Sequence, residues 1–197
     1  PGAGGNIGMT QVAKSAPDGY TMLVASSSYV VNPSLYAKNP YDPFKDFAPV
    51  TLAAASPNIL VVNADFPAKS VKELVELIKK EPGKYNYAMP GTGTTPHLAG
   101  ELFKLTFKLD LATVPFNGAG PAIQSAVAGH TPIAFTALPP TAPQVQGGKL
   151  RGLAVTSAKR SSALPGVPTM AEAGVAGQES ETMQGIFLPA GTPKEIV

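Results

Sequence analysis

Twice in this chain an apolar strand empties through a glycine loop into a helix that opens on proline. The first instance is YAMPGTGTTPHLAGELF (87–103) and the second is TVPFNGAGPAIQSAVAGH (113–130). Strand and helix alternating in this way point to parallel βαβ units, whose connections gather at one edge of a sheet. In such sheets a ligand sits beyond the carboxyl ends of the strands, where these glycine loops fall.

The rest of the chain supports the same architecture. PGAGGNIGMTQVAKSAPDGYTMLVAS reads as a glycine loop, a short helix over about 7–15, an Asp18-Gly19 turn and a strand from Tyr20 to Ala25. The proline-broken SSSYVVNPSLYAKNPYDPFKDF reads as loop with one short helical turn. Two β-rich runs, Ala48–Ala53 and Asn58–Asn63, flank a Ser56-Pro57 break. Ser70 followed three residues later by Glu73 is a capping box, and it opens a helix whose Val71, Leu74, Val75 and Ile78 share one face before Pro82-Gly83 ends it. Strands are expected over Tyr85–Met89, LATVPF and TPIAFTALP, and QVQGGKLRGLAVTSA is expected to hold a short helix and one more strand. At least two, and with TPIAFTALP up to three, strand-to-helix sockets result.

The first N–H groups of a helix have no partner within it, and the macrodipole places about half a positive charge there. Glycine lets the backbone approach an oxyanion closely, and threonine hydroxyls add donors. Pro96 and Pro121, read as first helical residues, give up an N–H that would be orphaned anyway. Thr94, Thr95 and the N–H groups near His97 and Leu98 are therefore expected to converge on an anion. GTGTTP is no Walker loop, because no Lys-Ser/Thr pair follows its last glycine, and it lacks the dinucleotide-binding spacing. No Lys or Arg stands in the loop to balance a phosphate dianion. A carboxylate, which neutral donors can satisfy, fits better.

Composition narrows the function classes. A chain of 197 residues with a net charge of +2 and no block of five or six Lys/Arg lacks the footprint of a nucleic-acid binder. With no cysteine, disulfides, thiolate chemistry and Cys-ligated zinc are excluded. No apolar run approaches the roughly 20 residues of a membrane span. His97 at the helix start and His130 after Gly129 are isolated, and Ser26, Ser27 and Ser28 follow a strand without a nucleophile elbow. Asp42, Asp46 and Asp65 do not make a metal set. No nucleophile, base and orienter come together, so a binding protein without cofactor is expected rather than an enzyme. The opening at Pro1, with no signal peptide, and the close at GTPKEIV read as a piece of a longer protein, cut at both ends.

Taken in order, PGAGGNIG, APDGYT, NPSLY, YDPFKDFAPVT, YNYAMPGTGTTPHLAGELFK, VPFNGAGPAIQSAVAGH, GKLRGLAVTSAKRS, LPGVPTMAEAG and FLPAGTP closely resemble the Bug family, the extracytoplasmic solute receptors of tripartite tricarboxylate transporters. The resemblance covers essentially the whole chain. It implies an α/β fold of the type II periplasmic-binding-protein kind, with two α/β domains joined by a hinge of crossing strands. Domain one would comprise 1–62 plus 188–197, lacking the family's first strand and helix, and domain two 63–187. It further implies a periplasmic receptor that captures a small organic carboxylate (a di- or tricarboxylate or an aromatic acid) for membrane transporter subunits. Carried onto this sequence, the ligand-binding positions are Ser26, Ser27 and Ser28; Gly91, Thr92, Gly93, Thr94, Thr95 and His97; Asn117, Gly118, Ala119 and Gly120; and Thr136 and Ala137. Where relatives carry an aromatic pair the chain has Met183 and Gln184, which implies a less aromatic pocket. The other reading is the effector-sensing domain of a transcription regulator, which shares this fold type.

Overall fold

Helices and strands alternate along the chain from α1 to β6. The computed structural model describes residues 5–197. The elements are α1 (Asn6–Ala13), β1 (Leu23–Ser26), α2 (Ser28–Leu35), β2 (Phe47–Asn63), α3 (Val71–Lys80), β3 (Asn86–Met89), α4 (Thr95–Phe107), β4 (Ala112–Pro115), α5 (Ala119–Val127), β5 (Ile133–Ala137), α6 (Leu138–Gln146), β6 (Leu150–Val155) and β7 (Glu181–Pro189). The glycine loop expected at the chain start lies, through residue 4, outside the described residues. Contacts divide the chain into two units, one of residues 1–55 with 182–197 and one of 56–181.

In the larger unit the strand order is β6-β2-β5-β3-β4. β3 runs parallel to both β4 and β5, whereas β2 is antiparallel to β5 and β6. The expected parallel units are therefore present inside a mixed sheet. The run Ile59–Val62 is apolar at every position because both faces are covered. Leu60 and Val62 pack with α3 and with Ala99 and Phe103 of α4, while Ile59 and Val61 pack with Ala122 and Ile123 of α5 and Leu138 of α6. The capping box at α3 forms: the Glu73 N–H donates to Ser70 Oγ at 3.2 Å. Val71, Leu74, Val75 and Ile78 are its buried face, as their spacing predicts.

Several expectations change. β2 is one strand of 17 residues that runs straight through Ser56-Pro57. Its pairing with β5 starts at Asn58, so the missing Pro57 N–H falls just outside those rungs. The short helical turn expected in the proline-broken segment is the eight-residue α2, with Pro33 inside it. Proline there leaves the carbonyl one turn back, at Tyr29, without its helical donor. The Tyr41 hydroxyl supplies one at 2.9 Å. β1 starts at Leu23, leaving Tyr20 94% exposed. α5 begins two residues early, so Pro121 is its third residue, and Pro96 is the second of α4. α6 follows β5 without a linker and begins at Leu138, well before QVQ.

The smaller unit is built on an aromatic cluster. Tyr29 stacks on Phe187 with ring centroids 4.3 Å apart, and Phe47 meets Tyr29 edge-on at 5.4 Å. β1 pairs antiparallel with β7, which sets Ser26 opposite Gln184. No helix among the described residues is long and apolar enough to cross a membrane.

Candidate functional site

The parallel strands β5, β3 and β4 are neighbours, with Tyr87 opposite both Ile133 and Thr113. Their carboxyl ends therefore lie side by side, and each is followed by a helix N-terminus. This brings the sequence-predicted positions of the larger unit to one edge of its sheet.

The loop after β3 is shaped by two glycines in the left-handed half of backbone space, Gly91 at φ 131° and Gly93 at φ 81°. The Thr94 hydroxyl donates to the Gly91 carbonyl at 2.7 Å, and Leu98 N–H donates to the Thr94 carbonyl at 3.0 Å. Both donors are thus engaged within the loop in this conformation. His97 lies half-buried, and its Nδ1 accepts the Gly93 N–H at 3.2 Å. Three backbone donors, Thr92, Thr95 and His97 N–H, make no hydrogen bond among the described residues. The Thr95 hydroxyl is buried and has no partner there either. A buried hydroxyl without a partner carries a desolvation cost of about 1–3 kcal/mol, which a ligand oxygen would relieve.

The second loop leans on the first. Phe116 N–H donates to the Met89 carbonyl at 2.9 Å, and Gly118, at φ 111°, turns the chain into α5. Asn117 and Gly120 are exposed, and the N–H groups of Asn117, Ala119 and Gly120 have no partner among the described residues. At the third junction the chemistry differs. Thr136 is fully buried and its hydroxyl lies 3.0 Å from that of Thr141, which donates to the Ala137 carbonyl at 2.7 Å. Its side chain stabilises the β5–α6 junction; Ala137, half-buried, is the helix cap.

Ser26, Ser27 and Ser28 belong to the other unit, where β1 turns into α2. Ser26 and Ser28 hydroxyls are 3.0 Å apart, and Ser27 Oγ accepts the Met183 N–H at 3.3 Å.

Sequence reasoning passed over a polar cluster beneath α4. Glu101 accepts hydrogen bonds from Tyr87 (2.8 Å), Thr113 (2.7 Å) and Lys104 (3.0 Å to each oxygen). Burial works against ionising Glu101, but the donors from Thr113, Lys104 and Tyr87 outweigh it and hold its carboxyl below the usual range. Burial pushes the Tyr87 phenol up. The cluster ties α4 to β3 and β4, and it neutralises Lys104 with Glu101. The Glu101–Lys104 spacing was the only trace of it in the sequence, because the Tyr87 and Thr113 partners come from two separate strands. Gly100 makes room for it: a Cβ there would lie 2.6 Å from the Tyr87 ring. The described residues hold no group of three His, Asp or Glu able to bind a metal.

An α/β sheet doubly covered by helices, with uncharged glycine loops at its carboxyl edge, is the framework of a periplasmic-type binding protein. The chain belongs to the tripartite tricarboxylate transporter receptor family, whose model matches residues 1–197. It is 39% identical over 197 residues to a UPF0065 protein from the tcbD-tcbE intergenic region of Pseudomonas sp. (strain P51), covering all of this chain and 59% of that protein. It is 35% identical to Protein BugT of Bordetella pertussis, of which it covers 61%. The chain thus spans about three fifths of the length of these relatives. Among solved structures it resembles Rpa4515 of R. palustris with adipate (TM-score 0.95, 37% identity, covering 99% of this chain and 66% of that one). It also resembles MatC of Rhodopseudomonas palustris with bound malate (TM-score 0.90, 33% identity, covering 99% and 67%). The expected α/β periplasmic-binding-protein fold and the Bug-type family are therefore established, and the family is one of receptors rather than enzymes.

Proposed function

We propose that this chain forms part of a periplasmic solute receptor that captures a small organic carboxylate and hands it to the membrane subunits of a tripartite tricarboxylate-type transporter. The observation that carries this reading is the set of unpaired, uncharged donors at the N-termini of α4 and α5, together with a buried Thr95 hydroxyl that has no partner. Gly91, Thr92, Gly93, Thr94, Thr95 and His97 would form one wall and Asn117, Gly118, Ala119 and Gly120 the other, with Ala137 at the margin. The adipate and malate held by two structural neighbours are dicarboxylates, the chemistry that such donors fit. Helix N-termini supply partial positive charge, so a carboxylate is stabilised without lysine or arginine.

Calorimetry against dicarboxylates, tricarboxylates and aromatic acids tests the reading. A ligand at 100 times its dissociation constant raises stability by about 2.7 kcal/mol, which a thermal-shift screen detects. Replacing both Thr94 and Thr95 by alanine is expected to weaken binding about tenfold, or ~1.4 kcal/mol. Unchanged affinity would remove the loop from the site, and a screen in which no acid binds would end the proposal.

A further inference from the structure

The two helices α3 and α4 use one capping geometry with different chemistry. In each, the third helical residue reaches back to the backbone N–H of the residue before the cap. In α3, Glu73 Oε2 accepts the Lys69 N–H at 2.8 Å. In α4, His97 Nδ1 accepts the Gly93 N–H at 3.2 Å. Glutamate is the ordinary residue for this task because it complements the helix dipole as well as the N–H. At α4 a glutamate would set a full negative charge in the first turn, beside three unpaired N–H groups and the orphaned Thr95 hydroxyl.

We infer that His97 is a positioning residue that supplies the capping acceptor at α4 without its charge, holding the loop 91–95 in shape while leaving the helix N-terminus free for an anion. The inference rests on the reading of this loop as a carboxylate site. An imidazole that accepts at Nδ1 must carry its proton at Nε2, so the ring is the neutral Nε2–H tautomer. Burial favours that neutral form, with Glu101 pulling the other way and Lys104 assisting. Gly93 is held at φ 81°, so this N–H fixes a segment that only glycine occupies without strain.

Three variants of the full chain separate latch from charge. In His97→Asn the amide oxygen takes the place of Nδ1, in His97→Asp a charged acceptor does, and in His97→Ala the acceptor is lost. Backbone amide exchange of Gly93 without ligand reads the latch, and calorimetry with malate, adipate and citrate reads binding. Exchange at Gly93 should speed up about tenfold in His97→Ala and stay slow in His97→Asn and His97→Asp, the size of one hydrogen bond. For whichever acid binds, His97→Ala should lose about tenfold, His97→Asn should recover most of that loss, and His97→Asp should lose more than His97→Ala despite an intact latch. Imidazole nitrogen shifts should report Nε2–H. Unchanged Gly93 exchange in His97→Ala, or an Nδ1–H tautomer, overturns the latch. Equal binding by His97→Asn and His97→Asp overturns the charge argument. If no acid binds the parent while Gly93 exchange responds as expected, the carboxylate reading fails and the latch stands.

Discussion

α3 and α4 lie on the same face of one sheet, yet they finish their N-termini in opposite ways. At α3 the Ser70 hydroxyl takes the Glu73 N–H and the Glu73 carboxylate takes the Lys69 N–H. Its far end carries Lys79 and Lys80 against the negative pole of the dipole. That helix is closed on itself. At α4 the cap residue Thr94 turns its hydroxyl away to Gly91, Pro96 contributes no donor, and Thr95 and His97 N–H remain open. Under the proposed function the open first turn of α4 is kept for a ligand, and the helix takes its stability from elsewhere. For α4 the other source is packing, with Phe103 fully buried and Glu101 anchored to Tyr87 and Thr113.

Substitutions at the two helices should break this contrast in order of size. Leu74→Ala empties a fully buried site on α3 and should cost about 2–5 kcal/mol in chemical denaturation, with carboxylate affinity unchanged. Ser70→Ala removes a working cap and should cost about 1 kcal/mol of stability, again without effect on binding. Thr95→Val removes a hydroxyl that has no partner in the free protein. Its stability should therefore stay level or rise by up to about 1 kcal/mol, while calorimetry shows weaker carboxylate binding. A loss of stability as large as that of Ser70→Ala would make α4 an ordinary capped helix.

The smallest effect is one of pH. Burial lowers the His97 pKa below its ordinary 6.5, against Glu101 and with Lys104; Tyr87, from β3, stays a neutral phenol bound to Glu101. The unfolded chain therefore takes up this proton more readily than the folded one. The His97 contribution should be complete above about pH 6.5 and fade as the pH falls below it, because protonated Nδ1 has no lone pair for Gly93. Gly93 amide exchange should accelerate on acidification, once corrected for intrinsic rates, in the parent and not in His97→Asn, whose amide oxygen does not titrate. The same acceleration in His97→Asn would take the pH response away from the imidazole.

Much of this was legible beforehand where a signal is local. The apolar face of α3 follows from the spacing of Val71, Leu74, Val75 and Ile78, and the glycines of GTGTTP announce a loop with left-handed residues. What failed to read was compensated at a distance. Pro33 looked like a helix breaker until Tyr41 supplied the donor for Tyr29, and Ser56-Pro57 looked like a break until the ladder with β5 proved to begin one residue later. At the candidate site the loop positions were visible in the sequence, but the state of each donor was not. Whether Thr94 faces a ligand or Gly91, and whether Thr136 is exposed or locked to Thr141, depends on atoms several residues away in space.

By itself, then, the sequence determined the strand–loop–helix order, the capped helix α3, the absence of cysteine and clustered base, and the family to which the chain belongs. The tertiary structure alone decided that β2 runs antiparallel between β5 and β6, how α4 is anchored through Glu101, and which donors remain unpaired. The division has one physical cause. Propensity, capping and turn chemistry act between residues close in the chain, whereas a hydrogen bond is made or left open by whatever the fold brings within about 3 Å.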